Sequence, residues 1–268
     1  MNNKLPLWFE DPNSERALEN YLIDRDNAYE RWKFRAVRKL LPQAKPQQNT
    51  ALDYGCGGGQ FSIWLAQRGW RVTAADASEH SLGACRINLS RARLADKINL
   101  ILNSGPNYWA PFDGRQFNLI LAKDVIEHVK DDIEFLQHLK RCLKPGGIAI
   151  IVTQNDASWN YWTQAPVGLA RDLSWCGWDP THVRLYNLPS LKGKLLHTGL
   201  KPIRWRASYL VPYREWMFMG GLRGRCTRLL QRVGAISVFH LPESILGGVY
   251  PFSGLGWSIA VACKHDSD

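Results

Sequence analysis

Asp124, Glu127 and His128 stand at i, i+3 and i+4 in the run Lys123-Asp124-Val125-Ile126-Glu127-His128-Val129. If the run turns helically, the three side chains share one face. Two carboxylates and an imidazole so placed can bind a divalent ion and lower the pKa of a hydroxyl beside it. His128 can also take a proton directly near neutral pH, with Asp124 as a neighbouring acid. His182, in Thr181-His182-Val183-Arg184-Leu185-Tyr186, is the second candidate base, with Arg184 and Tyr186 expected beside it. The plain alternative is that Glu127 and His128 only shape a loop and its following helix.

A second constellation lies upstream. Ala51-Leu52-Asp53-Tyr54-Gly55-Cys56-Gly57-Gly58-Gly59 runs from an apolar entry through an acid into a glycine-dense turn. Glycine permits backbone angles closed to other residues and lets a ligand approach the main chain. Phe61, Trp64 and Leu65 then follow at helical spacing, and Gly69 reads as a C-terminal cap. The unit is therefore strand, glycine loop, helix. Trp70 to Asp76 reads as the next strand and ends in an acid about 20 residues past Gly55, where a ribose-binding carboxylate is expected. Gln60 stands where a dinucleotide fingerprint would have its third glycine. Asp53 would repel a pyrophosphate but suits a cationic ligand with an ammonium group. S-adenosylmethionine (SAM) carries an ammonium and a sulfonium.

The elements that must position these residues follow in order. From Ser14 to Leu41 the pattern is helical and ends at Pro42. Ser81 to Ala92 reads as a helix, and Ile98 to Leu102 as a short strand. Phe117 to Ala122 is apolar throughout, as a strand buried on both faces must be. Asp131 and Asp132 open a helix with Ile133, Leu136, Leu139 and Leu143 inward. Ile148 to Thr153, Lys201 to Arg206 and Gly256 to Cys263 read as further strands, with a helix over Leu188 to His197. A long connection spans Tyr209 to Leu255, where a helix is expected from about Arg214 to Val233.

Leu52-Asp53-Tyr54-Gly55-Cys56-Gly57-Gly58-Gly59 resembles the first motif of class I SAM-dependent methyltransferases. Asp124-Val125-Ile126-Glu127-His128-Val129 and Leu143-Lys144-Pro145-Gly146-Gly147 resemble later segments of the same family, in the same order. The acid-x-x-Glu-His set and the run from His182 to Leu200 are similar to the ubiquinone-biosynthesis O-methyltransferase-like group. The resemblance implies an α/β, Rossmann-like doubly wound fold, a seven-stranded mostly parallel sheet with an antiparallel last strand. Added to it are an N-terminal helical lid segment over 1–45 and a basic and apolar cap over 207–255. The core runs over 46–206 with an insertion at 154–180, and 256–268 supplies the last strand and tail. It implies SAM as cofactor, held by Asp53, Gly55, Cys56, Gly57, Gly59, Asp76, Ala77, Asn103, Ser104 and Lys123. The family often places an acid after the third strand; here Asn103, Ser104 or Asn107 stands in for it at the adenine. A divalent ion at Asp124, Glu127 and His128 is implied as an auxiliary.

The reaction expected is methyl transfer to a small-molecule or lipidic hydroxyl. A nitrogen, sugar or polyketide acceptor, or SAM binding without turnover, are the rivals. The family's Asn-Pro-Pro-Tyr signature for bases of nucleic acid is absent after the fourth strand. Among 268 residues, 45% are hydrophobic and 22% charged, as in soluble globular proteins. The net charge is +10, and ten basic residues between Lys192 and Arg232 face only Glu215. Such a stretch attracts phosphates and raises the expectation of peripheral contact with an anionic membrane. The six cysteines show no paired spacing, which points to reduced thiols and a cytoplasmic setting. No signal peptide or spanning helix is expected. Nothing in the sequence fixes the oligomeric state.

Overall fold

The computed structural model describes residues 28–46, 48–105, 107–177, 179, 181–210 and 245–265. Seven strands form one sheet: β1 Thr50–Tyr54, β2 Arg71–Asp76, β3 Ile98–Leu102, β4 Phe117–Lys123, β5 Leu143–Gln154, β6 Leu200–Ser208 and β7 Ser258–His265. Their spatial order is β3-β2-β1-β4-β5-β7-β6. All neighbouring pairs through β5 are parallel, and β7 runs antiparallel between β5 and β6. This is the sheet expected, including its reversed last strand.

Among the described residues six α-helices flank it: α1 Ala28–Arg38, α2 Gln60–Ala66, α3 Glu79–Arg91, α4 Asp132–Arg141, α5 Trp159–Arg171 and α6 Leu188–His197, with a 3₁₀ turn at Ile126–His128 among the short elements.

 The strands alternate between two cores, one on each face of the sheet. Leu52, Ile120, Ala149, Ile151 and Val261 point to the side covered by α4 and α6, where they meet Phe135, Leu136, Leu139, Leu191 and Leu195. Ala51, Leu119, Leu121, Ile150 and Val152 point to the other side and meet Val37, Phe61, Leu65, Leu82 and Leu89 of α1, α2 and α3. A strand covered on both faces must be apolar at every position, which explains the unbroken run of β4.

Several boundaries differ from expectation. β5 begins at Leu143 rather than Ile148, because Phe117 pairs with Leu143 before the register shifts. The expected insertion contains α5, whose Trp159 and Trp162 are 56% and 59% exposed. The expected helix over Arg214 to Val233, and residues 1–27 of the lid segment, lie outside the described residues. Among the described residues, no helix is long and apolar enough to cross a membrane.

The chain winds outward through β1, β2 and β3, then returns to place β4 on the other side of β1. The crevice for a ligand in such a sheet opens at that reversal, beyond the carboxyl ends of β1 and β4. Tyr54 pairs with Ala122, so the glycine turn and the Asp124 segment leave the sheet side by side.

Candidate active site

The glycine turn is held from β2. Gly55 and Cys56 both donate their N–H to the Ala75 carbonyl, at 2.8 and 2.9 Å. Gly57 N–H donates to Asp76 Oδ2 at 2.8 Å, and Ser78 N–H to Asp76 Oδ1 at 2.9 Å. Gly55, at φ 74°, passes so close to the segment after β4 that a Cβ there would collide with the Val125 side chain. Gly57, at φ 51°, is the opposite case: nothing lies within 4 Å of the Cβ it lacks. One glycine therefore joins the two loops, and the other leaves open space above the turn. Asp76 lies beside that space. Burial pushes its carboxyl up, against the pull of the Ser78 and Gly57 N–H bonds. A carboxylate accepts more than two hydrogen bonds, so both oxygens retain capacity for hydroxyl donors.

Asp53 is placed differently from expectation. It is 2% exposed, and Oδ2 accepts the Ser62 hydroxyl at 2.5 Å. Burial raises its pKa to about 6, partly offset by the Ser62 bond. The side chain thus ties the turn to α2, and its charge acts from beneath the loop. Asn103, at the end of β3, is 3% exposed, whereas Ser104 and Asn107 are exposed. Asn103 Oδ1 is buried without a hydrogen-bond partner among the described residues. An unmet acceptor there suits the amino group of an adenine.

The segment after β4 separates into two groups. Asp124, at φ 55°, accepts at Oδ2 from Lys33 Nζ at 2.6 Å and from Lys123 Nζ at 2.8 Å. Glu30 of α1 completes the cluster, 3.0 Å from Lys123 and 3.6 Å from Lys33. Burial opposes ionisation of Asp124, but Lys123 and Lys33 hold its carboxyl well below the usual range. Lys123, expected at the cofactor, is engaged in this cluster with both acids.

Glu127 and His128 lie in the 3₁₀ turn. Glu127 is fully buried and accepts the Thr153 hydroxyl at Oε2, 2.9 Å away. Its Oε1 is buried without a partner among the described residues. Burial, and then the charge of Asp124, raise its pKa to about 8. The Glu127 carbonyl accepts from Val183 N–H at 2.8 Å, which brings His182 against His128 with ring centroids 4.8 Å apart. Thr181 donates its hydroxyl to Asp179 and lies 2.9 Å from His128 Nδ1. Its one hydrogen being committed, the hydroxyl accepts from His128 Nδ1–H, and the lone pair falls on Nε2. His182 Nδ1 lies 3.1 Å from the Cys176 carbonyl; a carbonyl only accepts, so His182 takes the same tautomer. Burial lowers the pKa of both rings, with the His128 charge adding to the effect on His182.

The metal set expected from spacing is therefore altered. Glu127, His128 and His182 bring donor atoms within 4.8 Å of one another, while Asp124 is turned to the lysines. The three positions i, i+3 and i+4 do not share a face because Asp124 precedes the turn in a left-handed conformation. Arg184 and Tyr186 also differ from expectation. Arg184 donates to the Val129 carbonyl at 2.8 Å, and Tyr186 OH to Asp132 Oδ2 at 2.8 Å. They serve the base of α4, because the buried Asp132 carboxylate requires donors. Sequence reading missed Glu30, Lys33, Thr153, Asp179 and Thr181, which carried no motif of their own.

A doubly wound sheet with a glycine turn at β1 and an acid at the end of β2 defines the class of SAM-dependent methyltransferase folds. The chain belongs to the methyltransferase domain family, whose pattern it matches over residues 24–204. It is 33% identical over 167 residues to a ubiquinone biosynthesis O-methyltransferase of Dinoroseobacter shibae, a match covering 62% of this chain and 65% of that protein. The chain thus spans less than two thirds of that relative. A possible histamine N-methyltransferase of Thermotoga maritima shares the fold with a TM-score of 0.57 and 16% identity, covering 94% of this chain and 97% of that one. An N-methyltransferase, NodS, of Bradyrhizobium japonicum, solved with S-adenosyl-L-homocysteine, does so with a TM-score of 0.54 and 15% identity, covering 95% and 100%.

Proposed function

We propose that the protein transfers a methyl group from SAM to a hydroxyl of a small-molecule or lipidic acceptor. Two observations support this reading: open space above Gly57 beside Asp76, and the paired His128 and His182 rings, the first of them on the segment that leaves β4 next to the glycine turn. SAM supplies an electrophilic methyl on a positively charged sulfur. Asp76 would hold ribose hydroxyls, Asn103 Oδ1 the adenine amino group, and the backbone at Gly55, Cys56, Gly57 and Gly59 would line the approach. The leaving sulfide is neutral and needs no acid. The chain's own task is to align acceptor and donor and to remove the acceptor's proton. His128 Nε2 takes that proton, with Thr181 and Asp179 fixing the ring and His182 beside it. A hydroxyl needs this deprotonation more than a neutral amine does, which favours oxygen over nitrogen as the acceptor.

A second reading is favoured by Glu127 Oε1, which has no hydrogen-bond partner among the described residues. It seats a divalent ion on Glu127, His128 and His182, where the ion would lower the pKa of an acceptor hydroxyl. Metal analysis of the purified protein before and after chelation decides between the two; full activity in the metal-free protein removes the second.

Asp76→Ala tests the cofactor assignment. Each hydrogen bond to a charged acceptor contributes about 1.5–3 kcal/mol, so calorimetry should show SAM affinity falling at least about tenfold. Unchanged affinity would reject it. Consumption of SAM with phenol-type acceptors, and none with any acceptor class, are the outcomes that separate a transferase from a SAM-binding protein. A lipidic acceptor is supported by the exposed Trp159, Trp162, Leu173 and Tyr250, the last two 92% and 81% exposed, together with the basic stretch after Lys192. Salt-sensitive binding to anionic vesicles is expected, and no binding would remove the membrane contact.

A further inference from the structure

The cation at Asp124 is part of the protein. Lys33 is 2% exposed and comes from α1, 91 residues away in sequence, to place Nζ 2.6 Å from Asp124 Oδ2. A buried ammonium is retained only where paired acids compensate its lost hydration. Two are present. Asp124 meets both Lys33 and Lys123, and Glu30 meets the same two lysines at 3.6 and 3.0 Å. Among the described residues the cluster pairs two lysines with two acids. Its second feature is positional. Asp124 follows β4 directly and stands at φ 55°, a conformation that a non-glycine residue keeps only when its surroundings hold it. The donors that converge nearby are Glu127, His128 and His182, without Asp124.

We infer that Lys33 acts as a resident cation at Asp124, denying that carboxylate to a divalent ion and positioning the segment that carries Glu127 and His128. α1 thereby becomes a wall of the site rather than an external cover. The role of Lys33 is that of a positioning residue, and it does not depend on which acceptor is methylated.

The test uses the full chain and Mn²⁺ as probe, read by electron paramagnetic resonance. Lys33→Met removes the ammonium and keeps the side chain as far as Cε; Lys33→Gln removes the charge and keeps an N–H donor on a shorter side chain. With one unit of positive charge gone beside a carboxylate, Mn²⁺ binding should tighten at least about tenfold relative to the unaltered protein. That gain should vanish in Lys33→Met/Asp124→Asn. No gain in either single variant, or a gain that survives Asp124→Asn, overturns the inference. A measurement on the unaltered protein covers the case in which neither variant folds. Nitrogen-15 spectra should show protected ammonium signals for buried lysine that persist in millimolar Mg²⁺, and their loss on adding Mg²⁺ overturns it. These readouts do not involve turnover, so they stand apart from the success or failure of the methyl-transfer reading.

Discussion

Replacing His128 by alanine should lower turnover about 10²–10⁴-fold, the range for losing a positioned general base. The argument rests on the tautomer. Thr181 spends its hydroxyl hydrogen on Asp179, so the ring nitrogen beside it must be the protonated one. The lone pair then lies on Nε2 whatever the acceptor. Nothing in this chain of contacts reaches the glycine turn, so SAM affinity by calorimetry should stay within about twofold in the variant. A large fall in turnover with SAM binding preserved supports the assignment. Turnover within about threefold of the unaltered protein would sink it, since that is far below any general-base contribution.

Replacing Asp132 by alanine should cost about 3 kcal/mol of stability, read from the midpoint of urea denaturation at constant slope. Asp132 opens α4, and its side chain is 6% exposed. It accepts the Tyr186 hydroxyl at 2.8 Å and meets Lys194 and Arg184 at 3.0 and 3.1 Å. Removing it leaves the Tyr186 hydroxyl, 1% exposed, with its main acceptor gone. The lysine and arginine are about a third exposed, so water recovers part of their loss and the cost stays near the lower end for a broken buried pair. The pH dependence follows the same contacts. Burial alone would raise the pKa of Asp132, but the bonds from Tyr186 and Lys194 and the charge of Arg184 hold it below its ordinary value. Its stabilisation is therefore complete above the unfolded carboxylate range, near pH 4. It is lost as pH falls through the folded value. The variant should lose less stability than the unaltered protein between neutral pH and acid; equal losses would contradict the assignment.

The sheet was legible because its signals are local. Apolar runs, Gly69 as a stop, and the Asp131 cap each depend on residues within one turn. The glycine turn was legible for the same reason, since φ above zero at Gly55, Gly57 and Gly59 is a backbone demand that residue type reveals. What was not legible depends on partners brought from afar. Spacing placed Asp124, Glu127 and His128 on one helical face, but it carries no record of Lys33, which draws Asp124 away. Nor could it show that His182 replaces Asp124 in the donor set, because that follows from the Val183 N–H bond to the Glu127 carbonyl. Asp53 was read as facing a ligand when its nearest donor, Ser62, lies one helical turn into α2. Arg184 and Tyr186 were expected beside His182 as the candidate base, when a buried acid at the start of α4 claims them.

The pairing of Tyr54 with Ala122 ties cofactor turn and proton acceptors to a single alignment of neighbouring strands. A slip by one residue would move the two loops about 3.3 Å relative to each other and turn every side chain of one strand to the opposite face. Because these partners are remote in the chain, their docking should come late in folding. A nascent or partly denatured form could thus carry most of its helices yet have no reactive centre at all, so recovery of activity should lag recovery of helical circular dichroism on refolding.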